Sequence, residues 1–155
     1  MSTASLGRVV PDFSLPATLG STFKLRDMRG QPLVLYFYPR DNTPGCTLEA
    51  QDFQRMLPAF TKAKVRVCGI SRDSLAAHEK FCSAFGFKFP LLVDADAKAC
   101  KLFDVIHEKN MYGRKVMGIV RSTFLIDAAG KLAREWRKVK VEGHAAEVLE
   151  AARAL

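Results

Sequence analysis

Residues 33–38 read LVLYFY, an uninterrupted apolar run bounded by Gly30, Pro32 and Pro39. That is the pattern of a strand buried on both faces. Downstream, Phe53, Met56, Leu57 and Phe60 follow the i, i+3, i+4, i+7 spacing of an amphipathic helix. Residues 65–70 (VRVCGI) form a second β-rich run. Leu75, His78, Phe81, Cys82 and Phe85 then make another helical stripe, which Asp73 or Ser74 can cap and Gly86 can stop. Residues 90–93 predict a short strand and residues 97–103 a short helix. Residues 120–126 and 132–141 predict two strands joined by the turn Asp127-Ala128-Ala129-Gly130. A last helix begins at Glu142 or Gly143, with Ala146, Leu149 and Ala152 or Arg153 along one side. The residues before Leu33 read as an extended segment.

This order, β–α–β–α–β–α–β–β–α, contains two early βα units. Right-handed crossovers make their strands parallel, and an antiparallel pair follows. The expected class is α/β, a central mixed β-sheet flanked by α-helices. The 155 residues contain no repeat, low-complexity tract or linker, so one domain over residues 1–155 is expected.

Composition changes this picture little. With 48% hydrophobic and 26% charged residues, the chain is an ordinary folded one. A net charge of +8 invites a nucleic-acid reading, but it divides evenly between the two halves and leaves no basic arm. The densest basic run, Lys131, Arg134, Arg137, Lys138 and Lys140 around Trp136, reads as a solvated face. No nucleic-acid partner is expected. No signal peptide and no apolar run of membrane-spanning length is recognisable, so the expected location is the cytoplasm, where a disulfide is transient rather than structural. His78, His107 and His144 lie far apart and there is no C-x-x-C, so neither a metal, a cofactor nor a thioredoxin-type dithiol is expected.

The chemistry is concentrated in Pro39-Arg40-Asp41-Asn42-Thr43-Pro44-Gly45-Cys46, between the first strand and the first helix. Thr43 suits the N-cap and Pro44 the first helical position, which places Cys46 third in the helix. There its sulfur faces unpaired backbone N–H groups and the positive end of the helix dipole, which favour thiolate over thiol. Positions 46, 50, 53, 57 and 60 share a face, so Cys46 should point inward. Farther on, alternation puts Arg121, Thr123 and Leu125 on one face of their strand and Val120, Ser122, Phe124 and Ile126 on the other. A cation so placed needs a partner or a solvated edge.

Pro39-x-x-x-Thr43-x-x-Cys46 within FYPRDNTPGCTLEAQDF resembles the active-site motif of the peroxiredoxins, in particular the bacterioferritin comigratory protein (PrxQ) subfamily. The likeness extends to PDFSLP, VRVCGISRDS, FPLLVDAD and VRSTFLIDAAGK and so covers nearly the whole chain. It implies a thioredoxin-like fold and a peroxidatic role for Cys46, whose thiolate attacks hydrogen peroxide or an organic hydroperoxide and becomes a sulfenic acid. It further implies Thr43, the Cys46 amide and Arg121 as donors to the developing charge, Pro39 as a shield for the sulfur, and Glu49 as the group that steadies the arginine. Many members of the subfamily carry a resolving thiol five residues after the peroxidatic one, where this chain has Gln51. Cys68, Cys82 and Cys100 remain, at separations of 22, 36 and 54 residues. Cys68 lies inside an apolar strand and Cys100 in a short Ala-rich helix, where packing roles are expected. A second group in the subfamily carries its resolving cysteine on the helix after the second strand, which favours Cys82.

Two inward-facing thiols on different helices cannot meet without movement, so local unwinding is expected where Pro44, Gly45, Ser83 and Gly86 weaken the helices. The resemblance implies a monomer re-reduced by thioredoxin, or secondarily by glutaredoxin or glutathione. The alternatives are a one-cysteine peroxidase resolved by an external thiol and a non-enzymatic thiol redox sensor.

Overall fold

The computed structural model describes residues 3–155. Strand β3 (Leu33–Phe37) takes up all but the last residue of the apolar run 33–38, and every residue in it is buried. It lies near the centre of a seven-stranded sheet of order β2-β1-β5-β4-β3-β8-β9. The expected parallel core is β3, β4 (Arg66–Ser71) and β5 (Leu91–Val93). The expected antiparallel pair, β8 (Ser122–Ile126) and β9 (Leu132–Arg137), flanks β3 on the other side. Helices α1 (Pro44–Lys62), α2 (Leu75–Phe85), α3 (Lys98–Leu102) and α4 (His144–Arg153) complete the expected set. Ser74 rather than Asp73 caps α2, its hydroxyl accepting from the Ala77 amide, and Gly86 ends the helix in the left-handed region at φ 70°.

The alternation of a strand divides the interior. Leu33, Leu35 and Phe37 enter a core with Phe124, Ile126, Phe103 and the α3 residues Ala99 and Cys100. Val34, Tyr36 and Tyr38 enter a second core on the opposite side, with Phe53 and Phe60 of α1, Phe81 of α2 and Val148 and Leu149 of α4. The sheet thus packs α3 on one face and α1, α2 and α4 on the other.

Four differences from the sequence reading stand out. The segment before Leu33 is not simply extended: β1 (Ser14–Ala17) and β2 (Ser21–Lys24) form a hairpin on the sheet edge, followed by a 3-10 turn over Leu25–Met28. A second hairpin, β6 (Ile106–Met111) and β7 (Arg114–Ile119), stands outside the main sheet. Strand β9 ends at Arg137, because Lys138 turns into the left-handed region at φ 55°. In α4 the buried side carries Ala145, Val148, Leu149 and Ala152, so Leu149 and Ala152 lie as expected, while Ala146 is exposed at the edge of the stripe that Ala145 and Val148 define. Part of the basic run is also tied down. Arg137 donates to the Asp104 and Phe103 carbonyls at 2.8 and 3.0 Å, and Arg134 lies over the Trp136 ring at 4.7 Å. Among the described residues, no helix is long and apolar enough to cross a membrane.

Candidate active site

Cys46 is the third residue of α1, as predicted, and is 2% exposed. Asn42 enters the turn in the left-handed region at φ 60°, a conformation its short polar side chain tolerates. Thr43 occupies the N-cap with extended backbone, and its carbonyl accepts the first helical bond from Thr47 at 2.8 Å. Its hydroxyl, however, makes no cap: it donates to the Arg40 carbonyl at 2.9 Å. This corrects the expected capping side chain and has a chemical consequence. A side-chain cap accepts from the second or third helical amide, so a capping Thr43 would compete for the N–H of Cys46. Pro39 stands exposed at the start of the loop.

Arg121 reaches this turn from the other end of the fold. It lies in the two-residue link between β7 and β8 rather than inside a strand, but on the face that alternation predicts. The Val139 amide donates to its carbonyl at 3.0 Å, and the Val120 amide donates to the Val105 carbonyl at 2.7 Å, so the link is fixed on both sides. The guanidinium donates through Nη2 to the Cys46 sulfur at 3.4 Å and through Nη1 to Glu49 Oε1 at 2.6 Å. Glu49 is buried one helical turn after Cys46. Burial pushes its carboxyl up to about 7 against the pull of Arg121. Burial also draws Arg121 down, but Glu49 and Cys46 together outweigh that effect and leave the guanidinium more basic than usual.

Two neighbours, Gly45 and Lys109, take places beside Arg121 that the sequence did not suggest. A Cβ on Gly45 would lie 3.2 Å from Arg121 Nη2, so the missing side chain leaves room for the guanidinium. Lys109 of β6 adds a second cation, its ammonium pushed down by burial and by Arg121, against the opposing influence of Cys46. No apolar periodicity marks either residue. The one sequence signal for the hairpin that carries Lys109 is Gly113 at its turn, where Tyr112 and Gly113 both adopt positive φ, as a two-residue hairpin turn requires.

All four cysteines are buried free thiols, and the sheet separates them. Cys46 and Cys82 share the core beside α1, α2 and α4. Cys68 and Cys100 share the opposite one. Burial pushes the Cys68 thiol up to about 12, and burial with the nearby Asp94 raises that of Cys100 as well. The Cys82 sulfur donates to Thr18 Oγ1 at 3.9 Å, and burial raises its thiol too. The structure also gathers Asp41, Asp73 and His78, with one polar atom of each within 4.8 Å of the others. Sequence spacing did not suggest this cluster, because its members come from two loops and a helix.

Residues 6–135 match the AhpC/TSA family. Over 99% of this chain and 98% of the relative, it is 51% identical to Peroxiredoxin Bcp of Xanthomonas campestris pv. campestris. The chain is a peroxiredoxin of the AhpC/TSA family. A solved structure concerned with alkyl peroxide reduction by the Xanthomonas campestris bacterioferritin comigratory protein superimposes with a TM-score of 0.91 at 48% identity, covering 99% of this chain and 98% of that one. Two further structures, of Xanthomonas campestris Peroxiredoxin Q, match at TM-score 0.90 and 48% identity over 99% of this chain and 97–98% of theirs. Each carries serine in place of one of two cysteines, which lie 36 residues apart in that protein. A peroxiredoxin is a thiol-dependent peroxidase with the thioredoxin-like fold, and peroxides are its substrates. In this peroxiredoxin, the Arg121 cation, the amide end of α1 and a buried sulfur converge on one point.

Proposed function

We propose that Cys46 is the peroxidatic thiol and Cys82 the resolving one, in a single-domain, monomeric peroxidase for hydrogen peroxide and organic hydroperoxides. The Cys46 thiolate attacks the terminal oxygen of ROOH, the O–O bond breaks, and the leaving oxygen takes a proton. The products are Cys46 sulfenic acid and ROH, which is water or an alcohol. Negative charge moves from sulfur to the leaving oxygen, and preorganised donors aimed at it lower the barrier. The observation that carries this reading is the Arg121 guanidinium, which bridges the Cys46 sulfur and Glu49. Glu49 limits the directions the fork can take, while the uncapped Cys46 amide supplies a second donor. Thr43 holds the turn through Arg40, and Pro39 forms the solvent side of the loop.

Cys82 then attacks the sulfenic sulfur. The disulfide forms, and the hydroxyl leaves as water with the Cys82 proton. Supporting this is the shared core of Cys46 and Cys82, and their 36-residue separation, equal to that of the two cysteines replaced by serine, one in each structure, in Xanthomonas campestris Peroxiredoxin Q. A dithiol protein such as thioredoxin regenerates the pair, with glutaredoxin or glutathione as the second choice, in a reducing compartment such as the cytoplasm. The test is mass spectrometry of peroxide-treated protein without reductant. A Cys46–Cys82 peptide in the wild type and persistent Cys46 sulfenic acid in Cys82→Ser are expected. A stable sulfenic acid in the wild type would instead indicate a one-cysteine enzyme, and one equivalent of peroxide consumed without turnover would indicate a sensor.

A further inference from the structure

A buried polar cluster that the peroxide chemistry does not use joins the Cys46 loop to the Cys82 helix. Asp41 lies five residues before Cys46, and His78 lies one helical turn before Cys82. Asp41 Oδ2 and His78 Nδ1 are 2.6 Å apart, with the imidazole fully buried and the carboxylate 6% exposed. Tyr38 Oη donates to Asp41 Oδ1 at 2.5 Å. The Asp41 amide donates to Asp73 Oδ2 at 2.9 Å, and the same oxygen accepts from Ser71 Oγ at 2.5 Å. On its other side the imidazole meets the Leu92 carbonyl, with Nε2 2.8 Å away. A carbonyl can only accept, so Nε2 carries a hydrogen, and one further proton is shared between Nδ1 and the carboxylate.

Among the described residues, every hydrogen bond that ties residues 39–45 to another element runs through Asp41. The Thr43 hydroxyl bonds within the loop, and the Thr43 carbonyl serves α1 itself. The two thiols, meanwhile, are held apart by different partners, Cys46 by Arg121 and Cys82 by Thr18. A disulfide needs its Cα atoms within about 4.4–6.8 Å and its Cβ vectors facing; each sulfur must first leave its present partner, and that departure draws on the loop, α2 or both. Movement of the loop carries Asp41 away, and movement of α2 carries His78 away. In either case the 2.6 Å contact breaks.

We propose that Asp41 and His78 are positioning residues for the two-step reaction. Their contact holds both helices in the arrangement that reacts with peroxide and parts before Cys82 reaches the sulfenic acid. This rests on the reading of Cys82 as the resolving thiol. An interaction present in one state and absent from the other shifts the balance between them by its own free energy. Loss of a charge-assisted buried hydrogen bond therefore speeds closure by about tenfold or more. It also leaves less time for a second peroxide to over-oxidise the sulfenic acid.

The test compares the wild type with Asp41→Ala, His78→Gln and Asp41→Asn, the last of which can still bond to the imidazole. Disulfide formation is timed by rapid quench and mass spectrometry after one equivalent of hydrogen peroxide, and thermal unfolding is measured for the reduced and disulfide forms. Asp41→Ala and His78→Gln should close about tenfold faster, yield less Cys46 sulfinic acid at high peroxide, and lose thermal stability in the reduced form only. Asp41→Asn should fall between them and the wild type. Equal destabilisation of both forms, or closure no faster than in the wild type, would overturn the proposal. Peptide mapping of the wild type keeps the two readings apart. If no Cys46–Cys82 peptide appears, the resolving assignment fails and the proposal with it; if the peptide appears and the variants close at the wild-type rate, only the Asp41–His78 role fails.

Discussion

A Cβ on Gly45 would lie 3.2 Å from Arg121 Nη2, so any side chain there displaces the guanidinium by a few tenths of an ångström. Gly45 is also the second residue of α1 and does not need positive φ, so Ala is locally the better helix former by up to about 1 kcal/mol. These effects have opposite sign in different measurements. Gly45→Ala is expected to keep or raise the Tm while lowering the rate constant for peroxide by about tenfold, measurable by stopped-flow and thermal unfolding. Arg121→Lys retains the charge but not the fork that spans sulfur and carboxylate, and removing such a donor costs about 100-fold to 1,000-fold in rate. Tyr36 is a different case. It stacks on Phe53 with ring centroids 4.6 Å apart, and its buried hydroxyl has no hydrogen-bond partner among the described residues. An unpaired buried hydroxyl costs free energy, so Tyr36→Phe is expected to be neutral or to stabilise by about 1 kcal/mol in urea unfolding.

At the scale of elements, His144 joins α4 to the sheet. Its Nε2 lies 2.8 Å from Thr123 Oγ1 of β8, and its ring meets Trp136 of β9 edge-on at 5.7 Å. Burial lowers its pKa from 6.5 to about 4. Between those values the unfolded chain binds the proton and the folded one does not, so stability present above pH 6.5 is lost as the pH falls towards about 4. The full window corresponds to about 3 kcal/mol. Glu49, its carboxyl pushed up to about 7, works in the opposite direction over the same range, so the His144 share is read as the difference between the wild type and His144→Gln in urea unfolding at neutral pH and near pH ~4. How legible each element was in the sequence follows from what specifies it. Strand β3, α1 and α2 bury apolar faces, and their periodicity identified them. Hairpin β6–β7 meets the core only at its base, through Ile106 and Ile119, and otherwise carries polar residues such as His107, Glu108, Lys109 and Lys115, so its pattern is silent although its turn is not. Cys46 was legible because the order Thr43, Pro44, Gly45, Cys46 places it third in a helix, where the structure finds it. The Arg121 contact was not readable from periodicity, which left a paired cation and a surface cation equally open; only the family motif favoured the pair, and the fold supplies the partner.

Across the whole molecule, the sheet sorts the thiols. Cys46 and Cys82 lie on the α1, α2 and α4 side, while Cys68, on β4 itself, and Cys100 belong to the core on the α3 side. Cys68→Ala and Cys100→Ala are therefore expected to leave peroxide turnover with a thioredoxin reductant within about twofold of the wild type, at some cost in packing. The same comparison made with Cys82→Ser should show turnover collapse. A consequence reaches beyond the reaction itself. A four-cysteine chain could close six different pairs, and most of them would trap a misfolded or inactive protein. With a sheet between the two couples, an oxidant that enters one chamber has no sulfur within reach in the other. An alkylating reagent added to the native reduced protein should accordingly count two thiols early and two late, and the late pair should appear only at the rate of global unfolding.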